Sequence, residues 1–267
     1  MNLNSPPMNL NSSPMNLNLF SLGIFFVSLS PEMKITVATV TYNASQTVER
    51  TLRSVAAQTY PDVEHLVVDG ASKDGTQDIC RRYSVRLVSE PDRGLYDAMN
   101  KALRLATGEY IVFLNAGDTL HDERVLERVA ACAPADIIYG ETDIVDADGR
   151  FLRHRRLAVP ERLTWRSFLH GMTVCHQSFY VRTEVARSEE YDLRWRFSAD
   201  FDWCIRCMKR ATTLVRAEGI LTDYLSEGMT TQNHRASLLE RLRIMARHYT
   251  WPAALAMHLW FVVRAAR

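Results

Sequence analysis

The segment that most constrains the fold is residues 108–118, Gly108-Glu-Tyr-Ile-Val-Phe-Leu-Asn115-Ala-Gly-Asp118. An apolar run over 110–114 ends at a short polar tip. The run is short, β-rich and uninterrupted, so it predicts a strand buried on both faces. Such a strand belongs in an α/β sheet with helices on either side, and ligands in such sheets bind just past the carboxyl ends of the strands. Asn115 and Asp118 therefore sit where chemistry is placed. One carboxylate on a tight turn opened by Ala116-Gly117 can hold a hard divalent cation against a phosphate. The same four residues also suit a plain β-turn with Asp at a favoured position, and the tip alone favours the turn, an order that the rest of the chain reverses.

The rest of the chain extends the pattern. Strands are predicted over 34–40, 63–68 and 85–89, with helices over 44–58, from 79 and over 95–106, Ser45 being a candidate N-cap. This strand–helix alternation up to residue 114 predicts a mostly parallel, doubly wound sheet. Beyond it, helices are predicted over 123–131, 161–169, 201–210 and 238–249, and strands over 136–139, 177–182 and 212–224. Asp148-Gly149 marks a hairpin over 143–156. Residues 1–32 repeat Met-Asn-Leu-Asn with Ser and Pro, a pattern that cannot bury a core; they read as a disordered extension or an unused upstream start, with Met33 the true start. The fold is expected over 33–249, followed by an apolar helix over 250–267.

Composition removes several classes. A net charge of +1 leaves no polyanion footprint, so nucleic acid is not expected as a partner. Five scattered cysteines, an odd count, read as free thiols in a reducing, cytoplasmic setting; Cys204-x-x-Cys207 has redox or zinc spacing but no second pair to face. No Gly-x-Gly-x-x-Gly follows the first strand and no Walker loop is present, which counts against dinucleotide dehydrogenases and P-loop enzymes. Instead, successive strand ends carry Thr41-Tyr42-Asn43, Asp69 and Asn115-x-x-Asp118. Asp69 can accept hydrogen bonds from a base or from ribose hydroxyls.

Four stretches carry a family resemblance. Thr41-Tyr-Asn-Ala-Ser, Val68-Asp69-Gly-Ala-Ser-Lys-Asp-Gly-Thr76, Ser89-Glu-Pro-Asp92-Arg-Gly-Leu-Tyr-Asp97-Ala-Met-Asn100 and Gly108 through Asp118 resemble family 2 glycosyltransferases of the GT-A fold. His176-Gln177, Ser198-Ala-Asp200-Phe-Asp202 and the loop from Ser226 to Asn233 are similar to bacterial exopolysaccharide enzymes of the colanic-acid type. The resemblance implies a nucleotide-diphosphate sugar donor, Mg²⁺ or Mn²⁺ at the diphosphate, inversion at the anomeric carbon, and a glycan or lipid-linked glycan acceptor. It implies that Thr41, Tyr42 and Asn43 frame the base, that Asp69 contacts base or ribose, and that Asp97, Asn100 and Asn115 lie near the donor. Asp118 matches the last Asp of the family's Asp-x-Asp metal motif, whose first carboxylate is replaced here by Asn115. Asp200 is the expected base, with an N-terminal helix acid as its plainer role. Asp202 is read as structural, His176 equally as a phosphate or acceptor contact or a core residue, and His234 as a ligand or a solvated loop residue. The stretch Glu227-Gly-Met-Thr230 departs from the Gly-Gly-x-Ser of relatives and is expected to form a loop over the donor.

Two other functions remain beside this one. A sugar nucleotidyltransferase would carry a Gly-rich basic loop where this chain has Thr41-Tyr42-Asn43-Ala44. An inactive scaffold of a polysaccharide assembly fits the missing carboxylate but not the retained Asp118 and Asp200. The apolar stretch 251–264 is too short to span a bilayer. Its Trp residues and flanking arginines suit a helix in the membrane interface, which would place the enzyme on the inner face of the cytoplasmic membrane, and a core or dimer helix fits as well.

Overall fold

The computed structural model describes residues 33–226 and 234–265. Residues 1–32 and the loop expected over Glu227 to Thr230 lie outside the described residues, as does the side chain of His234. The described chain belongs to one compact unit.

The strand at the centre of the sequence argument is β4 (Tyr110–Phe113), and no residue in it is more than 1% exposed. Its alternate side chains feed two different cores. Ile111 and Phe113 join one cluster and Tyr110, Val112 and Leu114 another, on opposite faces of the sheet. Beside β4 lies β1 (Ile35–Thr41), whose Ala38 and Val40 go to the first cluster and Ile35 and Val37 to the second. β2 (Val63–Asp69) and β3 (Arg86–Ser89) extend the parallel part in the order β3-β2-β1-β4. The strand order reverses between β1 and β4, so their carboxyl ends open a crevice there. Thr41, Asp69 and the tip after Phe113 all stand at that edge.

Past β4 the sheet becomes mixed. β5 (Thr119–Leu120), β6 (Ile137–Val145), β7 (Phe151–His154), β8 (Phe179–Arg182) and β9 (Leu214–Leu225) continue it, with β8 antiparallel to both β4 and β6 and β9 parallel to β6. The β6–β7 hairpin turns at Gly149, whose φ of +82° a side chain would disfavour.

The flanking helices are α1 (Val48–Ala56), α2 (Thr76–Cys80), α3 (Leu95–Leu105), α4 (Val125–Ala130), α5 (Thr183–Arg187), α6 (Ala199–Arg210), α7 (His234–His248) and α8 (Trp251–Ala265). Helix α1 starts four residues later than its sequence suggested, and its N-cap is Thr47, without a side-chain cap bond. The amides of Ala44 and Ser45 are satisfied from another loop, by Thr76 Oγ1 at 2.9 Å and Asp74 Oδ2 at 2.9 Å. The helix expected over 161–169 is a 3₁₀ turn, Trp165–His170, and the expected strand start at 177 is the 3₁₀ turn His176–Ser178. All five cysteines are free, with Cys204 and Cys207 buried in α6.

Helices α7 and α8 pack together, and α8 turns Ala254, Met257 and Phe261 toward the first core cluster. Its opposite side leaves Trp251, Leu255, Leu259 and Trp260 exposed at 57%, 53%, 68% and 45%. The spacing of Trp251, Leu255 and Leu259 makes one stripe along the helix. No helix among the described residues is long and apolar enough to cross a membrane.

Candidate active site

A cleft of about 1450 Å³ opens at the carboxyl edge of β1 and β4. Its lining brings together Thr41, Tyr42, Gly70 and Asp92, which adjoin one another, the tip residues Asn115 and Asp118 with His176 and Asp200, and Arg155, Arg241 and Phe261. Gly70 leaves the Asp92 carboxylate its place at the wall. A Cβ there would come within 2.5 Å of Asp92 Oδ2 and 3.2 Å of the Tyr42 ring.

Asp69 lies beneath these residues rather than on the cleft wall. It is fully buried and accepts from Thr41 Oγ1 at 3.0 Å, the Ser72 amide at 2.9 Å and Ser89 Oγ at 2.7 Å, with the Ser72 hydroxyl closer still. Burial works against its charge, and these donors outweigh burial and hold the carboxyl below its ordinary range. Asn43 braces the same loop: its amide donates to Ser72 Oγ at 2.8 Å, and its side-chain oxygen accepts from the Lys73 amide at 3.1 Å. Its φ of +49° is one that Asn tolerates. Thr41 and Tyr42 reach the cleft, Tyr42 standing 68% exposed at its rim.

Asp118 is carried on the turn after β4, where Gly117 has φ +105° and the Asp118 amide donates to the Asn115 carbonyl at 3.0 Å. Thr51 of α1 fixes the turn from below, donating to the Asp118 carbonyl at 2.7 Å and accepting from the Gly117 amide at 2.9 Å. The carboxylate accepts from Gln177 Nε2 at 2.8 Å and from the Leu225 amide at 2.9 Å. Burial is the dominant influence and pushes Asp118 up to about 6, against those two donors and the charges of His176 and Arg50. A buried carboxylate without a cationic contact is one that a divalent ion would stabilise. Beside it, Asn115 Oδ1 is a buried acceptor with no hydrogen-bond partner among the described residues. These two oxygens fit a hard cation that takes its other ligands from phosphates and water. No cluster of three or more His, Cys, Asp or Glu side chains gathers as a complete metal cage among the described residues.

Asp200 enters from the first turn of α6. Tyr96 donates its hydroxyl to Oδ1 at 3.0 Å, and His176 Nδ1 lies 3.3 Å from Oδ2. Burial raises its pKa, but the His176 hydrogen bond and charge, with Arg241 and Tyr96, outweigh burial and keep the carboxyl below its ordinary range. His176 Nε2 is 3.4 Å from Asn115 Nδ2, so the imidazole links the Asp200 side of the cleft to the Asn115–Asp118 tip. The turn His176–Ser178 thus touches both acids, through His176 at Asp200 and Gln177 at Asp118. Thr222 Oγ1 and Cys175 Sγ secure Gln177, donating to its carbonyl at 2.8 Å and to its Oε1 at 2.6 Å.

Three expected residues are directed elsewhere. Asp97 accepts from the Arg93 amide and guanidinium at 3.0 and 3.1 Å, which with Arg93's charge lowers its pKa against some burial, and it braces the start of α3. Asn100 is buried and holds the Tyr191 backbone, donating to its carbonyl at 2.9 Å and accepting from its amide at 2.7 Å. Both point away from the cleft because α3 turns that side toward the 189–191 loop and its own N-terminus. Asp202 is fully buried between His248 Nε2 and Arg206 Nε, each at 2.7 Å, and ties α6 to α7. Sequence reasoning missed Gln177, Tyr96, Asp92 and Arg241. Gln177 follows His176 and lines the cleft with it, whereas of Tyr96 and Asp97 only Tyr96 does, and the fold alone shows this.

Comparison with known proteins agrees with this geometry. Residues 36–188 match the profile described as Glycosyl transferase family 2. The chain is 32% identical over 220 residues to a PGL/p-HBAD biosynthesis glycosyltransferase of Mycobacterium bovis, covering 78% of this chain and 83% of that protein. It is 28% identical over 214 residues to the amylovoran biosynthesis glycosyltransferase AmsB of Erwinia amylovora, covering 72% and 70%. The fold is shared with S. aureus TarS 1-349 bound to UDP-GlcNAc, at a TM-score of 0.65 and 18% identity over 86% of this chain and 73% of that one. It is also shared with the mannosyltransferase PcManGT of Pyrobaculum calidifontis bound to GDP-Man and Mn²⁺, at a TM-score of 0.57 and 19% identity over 88% and 79%. With Asp118 buried and Asp200 half-buried, both facing one cleft at the topological switch point of a GT-A sheet, this chain belongs to glycosyl transferase family 2 and is a glycosyltransferase.

Proposed function

We propose that the protein transfers a sugar from a nucleotide-diphosphate sugar to a lipid-linked glycan acceptor, with inversion at the anomeric carbon, during assembly of an extracellular or capsular polysaccharide. The observation that carries this reading is the placement of Asp118 and Asp200 on the lining of one cleft, joined by the His176–Gln177 turn. The donor nucleotide takes the Tyr42–Gly70 part of the cleft, where Gly70 and the exposed Tyr42 ring leave room for a flat base, and Asp69 sets the loop geometry from below. Neighbours of the same fold hold UDP-GlcNAc and GDP-Man, in keeping with that assignment.

Asp118 and Asn115 Oδ1 would hold Mg²⁺ or Mn²⁺. When bound, the ion neutralises the charge of the departing diphosphate. Asp118 must be ionised for this, and Gln177 and the Leu225 amide aim its oxygens. Asp200 acts as the base. Its carboxylate is kept charged by His176 and Tyr96, so it can take the proton of an acceptor hydroxyl as that oxygen attacks C1 of the sugar from the face opposite the diphosphate. His176 positions Asp200 and closes water out between the two acids. The exposed stripe on α8 rests on the inner face of the cytoplasmic membrane, where a lipid-linked acceptor is held.

The first test is a thermal-shift panel of UDP-, GDP- and dTDP-sugars, each with Mn²⁺ and with EDTA. A metal-dependent rise with one nucleotide supports the reading and names the donor class. A flat panel at saturating concentrations, with no transfer to extracted membrane lipids, would overturn it and favour an inactive scaffold.

A further inference from the structure

The part of the cleft around Arg155 and Arg241 has its own chemistry. Arg155 and Arg241 line it together with Leu157, Met172, Leu238 and Phe261. Arg155 spends its guanidinium on the carbonyls of Met172 and Thr173, at 2.8 and 3.5 Å. Arg241 lies over the Phe201 ring, 5.5 Å from its centroid, and its buried Nε has no hydrogen-bond partner among the described residues. Neither cation is paired with a carboxylate among the described residues. They are also close enough for the charge of Arg155 to work against that of Arg241. The carboxylate of Asp200 supports the Arg241 cation and Arg155 opposes it, and burial outweighs both, so a further anion reached by the two guanidiniums would lower the cost of holding them here. The charge of Arg241 is felt at Asp200, whereas Asp118 feels those of His176 and Arg50, which sets this part on the base side of the cleft.

We propose that Arg155 and Arg241 hold a phosphate group of the acceptor, and that the apolar side chains around them take the first part of its aliphatic stem. This rests on the reading of Asp200 as the base, and it narrows the acceptor class to phosphate-bearing amphiphiles. Guanidinium forks suit phosphate oxygens, and a phosphate fixed here would leave the attached sugar facing Asp200.

The test uses decyl phosphate, the uncharged amphiphile decyl maltoside and inorganic phosphate as probes of the full chain, read by thermal shift and titration calorimetry below their micelle concentrations. Decyl phosphate should bind, and should still bind when UDP, GDP or dTDP with Mn²⁺ saturates the donor site. Decyl maltoside should give no comparable shift, and inorganic phosphate should bind about tenfold or more weakly for want of a buried stem. Arg241→Met and Arg155→Met should each weaken decyl phosphate about tenfold or more while binding nucleotide as the wild type does, and Arg241→Lys should recover part of the loss. If Arg241→Met does not fold, Arg155→Met at its half-buried position decides the matter. Equal binding of decyl maltoside, unchanged affinity in the Met variants, or displacement by nucleotide with Mn²⁺ would overturn the assignment, the last moving the arginines to the donor diphosphate. A wild type that binds decyl phosphate but no nucleotide leaves this site standing and removes the transferase reading instead.

Discussion

The imidazole of His176 is held 3.3 Å from the carboxylate of Asp200, at the point where the two acids of the cleft come nearest to sharing a partner. This contact sets the charge state of the proposed base. Asp200→Asn keeps the volume and the Tyr96 contact but cannot take a proton. Transfer should fall by about 10²–10⁴-fold while donor binding stays near the wild-type value. Single-turnover assays beside a nucleotide titration check this, and wild-type turnover in the variant would remove Asp200 from the role.

His176→Ala should act through Asp200. Without the imidazole, the carboxyl loses the strongest influence opposing its burial, so its pKa rises. A base is active when deprotonated, and the acid limb of the kcat profile should therefore move to higher pH. The turnover loss should be roughly tenfold, with donor KM little changed. An unmoved limb would make His176 a packing residue only.

Asp118 gives a pH signature of the opposite sign. Its ordinary value is 3.8 and its folded value about 6, so the folded chain holds a proton that the unfolded chain releases between those values. The stability this group lends is complete below the lower value and is lost as pH rises through the upper one. At pH above 7, Asp118→Asn in EDTA should melt higher than wild type, by a gain of at most about 3 kcal/mol. Mn²⁺ should raise the wild type and not the variant. The wild-type Mn²⁺ effect should fade as pH drops below about 6, because the ligand must be ionised.

Gly117→Ala tests the turn that aims Asp118. The φ of +105° strains any side chain, and the new Cβ would sit 2.8 Å from Leu225 Cδ2. A loss of about 1–2 kcal/mol is expected, or a few degrees in Tm, with a raised donor KM because Leu225 supplies an amide to Asp118.

The α8 stripe can be broken without touching the core. Trp251→Asp, Leu255→Asp and Leu259→Asp are all at positions more than half exposed, so Tm should hold within a degree or two. Co-sedimentation with phosphatidylglycerol vesicles should be lost in the triple variant. If the variant pellets as the wild type does, the stripe is not the membrane contact.

The first half of the fold was legible because its signals are local. β1, β2 and β4 are short, β-branched or apolar runs that end in polar tips, and a buried parallel strand needs nothing else to declare itself. Asp118 stood out for the same reason. The second half depends on distant partners. β5 is two residues long and exists because Asp223 and Thr222 pair with it. Ser45 looks like a helix cap, but its amide is satisfied across the sheet edge by Asp74. Asn100 and Asp97 sit in a stretch that resembles the donor site, yet the rotation of α3 sends one to Tyr191 and the other to Arg93. That rotation is fixed by packing against β1 and β2, which no local pattern encodes.

The two donors to Asp118 come from Gln177 and Leu225, both on the far side of the molecule's midpoint in sequence. The donor half and the acceptor half are therefore not modules. A chimera joined between β5 and β6 would carry its own Asp118 and a stranger's hands around it. To exchange acceptor preference by recombination, the grafted segment must either exclude the His176–Ser178 turn and the end of β9 or bring a tip that already matches them.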